Sequence, residues 1–129
     1  EGNGICLLST GNITADVVKL AKKLENMGFQ VKVISFLSIK PLNHDFIIDI
    51  AKNSEAIITI EEHSIIGGLG SAVAEIIMES KYSNILFKRI GLNDKVHKLI
   101  GSHNYLKKIN GLGVDDMATD IIHFYNNAN

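Results

Sequence analysis

The residues from Ala56 to Glu75 constrain this chain more than any others. Ala56-Ile57-Ile58-Thr59-Ile60 is a continuous run dominated by β-branched side chains, the pattern of a strand buried on both faces. A few residues later Leu69, Ala72, Val73, Ile76 and Ile77 recur at helical spacing, so the stretch ends as a helix with one apolar face. Between the two lie Glu61, Glu62, His63, Gly67, Gly68 and Gly70, with Ser71 at the start of the helix. A strand buried on both faces needs helices on both sides, and in an open parallel sheet sites collect in the crevice at the carboxyl ends of the strands.

The rest of the chain supplies the partners. Gly4-Ile5-Cys6-Leu7-Leu8-Ser9 reads as a first strand, and Thr10-Gly11-Asn12 as the turn after it. Asn12 or Thr14 is the expected cap of a helix with Val17, Leu20, Ala21, Leu24 and Met27 on one stripe. Gly28 stops that helix as a C′ glycine. A second strand covers Gln30 to Phe36, and Lys40-Pro41 closes the following connection, because proline keeps Lys40 out of the helical region. Asn43 caps a helix from His44 to about Asn53, with Phe46, Ile47, Ile50 and Ala51 facing inward. Ser83 to Ile90 reads as a fourth strand, Gly91 to Ile109 as a loop with short helical turns, and Asp115 as the start of a terminal helix. That helix aligns Met117, Ala118, Ile121, Ile122 and Tyr125, with acids in its first turn. The pattern βαβαβαβ with right-handed crossovers predicts a three-layer α/β/α fold, strand order 2-1-3-4, with the switch point between strands 1 and 3.

Composition narrows the function classes. The 129 residues read as a single domain, 1–129, and the opening Glu1-Gly2-Asn3-Gly4, without an initiator methionine, points to a piece of something longer. A net charge of −1 provides no basic field for nucleic acid or an anionic membrane. The apolar runs are too short to span a bilayer, and no signal-peptide pattern is visible. Cys6, the one cysteine, cannot form an internal disulfide, which fits a cytoplasmic location, and within an apolar strand it reads as a small buried hydrophobe.

Three motifs have both a chemical and a structural reading. Gly68-x-Gly70 before a helix has the spacing of a dinucleotide loop. It follows the third strand at a distance, however, and no acid ends the next strand, so turn and packing glycines are the favoured reading. Ser9-Thr10-Gly11-Asn12-Ile13-Thr14 resembles the phosphate loop of flavodoxins. Ile13 interrupts the motif, the loop after the third strand lacks the aromatic residue that would stack on a flavin, and the chain has no Trp, so a βα turn is favoured over an anion site. Glu61-Glu62-His63 has acid/base chemistry within it. Neighbours on a strand point to opposite faces, though, and two acids ending a buried strand need partners that another domain would supply. An interdomain role is therefore favoured over catalysis. His44, His63, His97, His103 and His123 lack metal-ligand spacing.

Ile58 to Glu75, read ITIEEHSIIGGLGSAVAE, closely resembles the signature segment of transketolase C-terminal domains. Leu8-Ser9-Thr10-Gly11 is similar to that family's "vaTG" turn, and Ile39-Lys40-Pro41-Leu42 to its "ikPlD", with Asn43 in place of the acid. Ile90-Gly91-Leu92-Asn93-Asp94 and Gly111-Leu112 are similar to its later motifs, with Val96 where an aromatic usually stands. The resemblance implies a domain of a thiamine-diphosphate-dependent enzyme, most similar to the C-terminal section of a split transketolase. Related domains close 1-deoxyxylulose-5-phosphate synthase and the E1 β subunits of 2-oxo-acid dehydrogenases.

By that resemblance the complete enzyme moves two-carbon ketol units between sugar phosphates, as in the pentose phosphate pathway, using thiamine diphosphate and Mg2+. The cofactor motif, GDG followed by Asn, is absent from this sequence. The expectation is a domain that binds no cofactor or metal, carries no catalytic residue, and packs against the cofactor-binding domains to support a homodimer. Its contact residues would come from Thr10, Gly11, Asn12, Glu61, Glu62, His63, Gly67, Gly68, Gly70 and Ser71. The family's extra antiparallel first strand is expected to be missing, leaving an open sheet edge.

Overall fold

The computed structural model describes residues 4–10, 13–36, 42–64, 68–92 and 113–128, with the side chains of 62–64 and 92 left aside. Four strands, β1 (Ile5–Thr10), β2 (Val31–Phe36), β3 (Ala56–Ser64) and β4 (Leu86–Leu92), form one sheet in the order β2-β1-β3-β4. Every pairing among the described residues is parallel. The sequence explains who sits where. β1 and β3, apolar on both faces over Ile5–Leu8 and Ala56–Ile58, take the centre, whereas β2 with Lys32 and Ser35, and β4 with Lys88 and Arg89, take the edges.

Helices α1 (Thr14–Asn26) and α4 (Val114–Ala128) cover one face, and α2 (His44–Lys52) and α3 (Leu69–Met78) the other. Alternation along each strand divides the core accordingly. Ile5, Leu7, Ile58 and Ile60 pack with Leu20, Leu24, Met117 and Ile121, while Cys6, Leu8 and Ile57 pack with Ile47, Val73 and Ile77. Lys23 to Asp115 at 2.5 Å and Lys88 to Asp120 at 3.5 Å tie α4 to α1 and to β4. No helix among the described residues is long and apolar enough to cross a membrane.

The helix ends follow the sequence in two cases of three. Asn43 Oδ1 accepts the Phe46 N–H at 3.0 Å, capping α2. Gly28, at φ +100°, ends α1 in a Schellman motif, the Gly28 and Phe29 N–H groups reaching the Glu25 and Leu24 carbonyls. At the start of α1 the expectation fails. The cap residue is Ile13, without a side-chain cap, and Thr14 is the first helical residue. Its hydroxyl meets the Ser9 hydroxyl at 3.1 Å and the Ser35 hydroxyl at 3.2 Å, so it joins the strand ends. Asn12 lies outside the described residues.

Other departures have local causes. Phe46 remains 43% exposed because it stacks edge-on to Phe36 at the rim of α2 and does not point into the core. On α3 Gly70 is buried and Ala72 only half-buried, since the helix approaches β3 and β4 along its glycine. β4 starts at Leu86 and not at Ser83, because Ser80 Oγ takes the Tyr82 N–H and the Tyr82 carbonyl takes the Ile85 N–H, winding that segment into turns. β4 also runs on through Gly91 and Leu92, where a loop is expected, and α4 begins one residue before Asp115. The connection expected from Asn93 to Ile109 lies outside the described residues.

Candidate functional site

The switch point gathers the carboxyl ends of β1 and β3, as strand order 2-1-3-4 requires. On the α3 side Thr59 and Glu61 project from β3 and Arg89 from β4, towards the first turn of α3. Glu61 is fully buried. One carboxylate oxygen accepts the Leu69 N–H at 2.7 Å and the other the Gly70 N–H at 2.9 Å. These amides belong to the first turn, where no intrahelical acceptor exists, and the positive end of the helix dipole favours the buried charge. The expectation that both acids look to another domain for partners therefore fails at Glu61, whose partners come from its own chain.

The glycines make this contact possible. A Cβ on Gly68 would lie 2.2 Å from Glu61 Oε1 and 2.9 Å from its carboxyl carbon. A Cβ on Gly70 would lie 2.7 Å from Thr59 Oγ1 and 2.8 Å from the Arg89 side chain. Gly68 and Gly70 thus serve close packing of helix on sheet, as the structural reading of the motif has it. A phosphate approaching this helix end would meet a carboxylate already seated on its amides, so the α3 terminus does not fit a diphosphate. Among the described residues no three His, Cys, Asp or Glu side chains gather to hold a metal ion.

Ser71 and Arg89 form the outer part of the arrangement. The Arg89 guanidinium donates to Ser71 Oγ at 3.3 Å across the α3–β4 junction. Thr59 Oγ1 is buried without a hydrogen-bond partner among the described residues. On the opposite face of the sheet, Ser9 and Ser35 join Thr14 in the hydroxyl contacts already described. Thr10 closes β1 beside them, half-buried. Gly11, Asn12 and Gly67 lie outside the described residues. Glu62 and His63 belong to β3, in a stretch where the pairing with β4 slips between Ile60 and Ser64.

Arg89 and Thr59 are absent from the sequence-derived candidates. Their alternation with core residues, Arg89 against Ile90 and Thr59 against Ile60, places them on the α3 face, but that signal needs the strand register to be read. Two cavities, of about 190 and 310 Å3, lie at the other end of the sheet, sharing Gly4, Ile5 and Gln30. The smaller is lined in part by Cys6, whose thiol burial pushes up to about 11, against a partial lowering by Lys32. It is an unreactive group at neutral pH.

Comparison with known proteins agrees with the fold and the motif. The family model described as "Transketolase, C-terminal domain" matches residues 1–115. The chain is 33% identical to one of the subunits of an apulose-4-phosphate transketolase from Actinobacillus succinogenes, covering 92% of this chain and 38% of that protein. It is 32% identical to a putative transketolase C-terminal section of Methanocaldococcus jannaschii, covering 95% of this chain and 37% of the relative. It is 37% identical to 1-deoxy-D-xylulose-5-phosphate synthase of Chlorobium phaeovibrioides, covering 97% of this chain and 19% of that enzyme. Among solved structures, a split-gene transketolase in an inactive β4 tetramer superposes with a TM-score of 0.81 at 34% identity, over 92% of this chain and 38% of that one. The chain thus spans less than two-fifths of these relatives, which are transketolase-type enzymes or sections of them. It belongs to the transketolase C-terminal domain family.

Proposed function

We propose that this chain is the C-terminal section of a thiamine-diphosphate-dependent transketolase, whose complete form transfers two-carbon ketol units between sugar phosphates. In this reading the section binds no cofactor itself, and thiamine diphosphate and Mg2+ are held by the preceding domains or by a partner subunit. Its own task is to pack against them and to support the homodimer, through a surface drawn from Thr10, Gly11, Asn12, Glu62, His63, Gly67 and Ser71. Glu61, Gly68 and Gly70 belong to the same constellation but act from beneath it.

The observation that carries the proposal is the use of Glu61. The amides of the first turn of α3, those of Leu69 and Gly70, are taken by the chain's own carboxylate. The start of α3 is therefore already occupied, which suits close packing of helix on sheet better than a phosphate cradle. A 1-deoxyxylulose-5-phosphate synthase parent is the second reading, favoured by the 37% identity to one such enzyme. The test is a Glu62→Ala, His63→Ala double variant of the complete enzyme. The expected result is a weakened assembly and lower activity; retention of both the dimer and the activity would refute the interface role. Assaying ketol transfer against condensation of pyruvate with glyceraldehyde 3-phosphate separates the two parent reactions.

A further inference from the structure

We draw no further inference here: the strongest candidate, the pair of cavities at the amino ends of the strands that share Gly4, Ile5 and Gln30 and reach Glu55 and Tyr125 on one side, opens at Gly4, the first described residue, and nothing among the described residues shows what covers it.

Discussion

Replacing Gly68 by alanine isolates the contact on which the α3 junction depends. The backbone there is extended, φ −96° and ψ −155°, which alanine adopts as readily as glycine, so the cost comes from the added methyl alone. That methyl would sit 2.2 Å from Glu61 Oε1, and the carboxylate must leave the Leu69 and Gly70 amides to make room. A hydrogen bond to a charged group contributes about 1.5–3 kcal/mol, and an amide stranded in the interior adds its own cost. With partial relaxation we expect a loss of about 3 kcal/mol, or about 10–15 °C in Tm for a domain of this size. Glu61→Ala should cost a similar amount by itself. In the double variant the new methyl enters space the carboxyl group has vacated, so the two losses should fall short of their sum by about 2 kcal/mol. Thermal and urea denaturation of the four proteins in the cycle give the answer. Additivity within about 0.5 kcal/mol, or a Gly68→Ala variant as stable as the parent, would refute the reasoning.

Other consequences are simpler to test. Thr59→Val removes a buried hydroxyl without a partner among the described residues and should raise stability by up to about 1–2 kcal/mol in urea unfolding. Gly28→Ala forces a Cβ into the left-handed region at φ +100° and should cost about 1–2 kcal/mol, with open space around it ruling out a clash as the cause. The Cys6 thiol is raised from 9.0 to about 11 in the folded chain, so the unfolded thiol ionises first as pH rises. Stability should therefore hold below about pH 9 and decline from there to about 11, a slope that Cys6→Ala flattens. Flavin mononucleotide titrated with the chain should keep its fluorescence; quenching at micromolar concentrations would favour the flavodoxin-like reading of the Ser9–Thr14 turn.

Much of the layer structure is legible in the sequence because burial on two faces leaves a plain mark. Only a central strand can be as uniformly apolar as Ile5–Leu8 or Ala56–Ile58, and only an edge strand readily carries a lysine on one face and a serine on the other, as β2 does. Asn43 and Gly28 are equally readable, since each acts on backbone groups within three or four residues. Phe46 and the start of β4 are not. An exposed ring held by a neighbouring aromatic has the same periodicity as a core residue, and the Ser80 turn competes with the strand through a bond that hydrophobicity does not record.

The site divides along the same line. The sequence by itself determined that a buried strand ends in two acids and a histidine, that glycines precede the next helix, and which family the motif resembles. Tertiary structure decided what Glu61 does. Its carboxylate reaches amides eight and nine positions ahead, and no local rule links residues at that spacing. The contact exists because β3 and α3 are pressed together by Ile57, Leu69, Val73 and Ile77, with no side chain on Gly68 in the way. A buried carboxylate then has one low-energy place to put its charge, the open amides of the helix start.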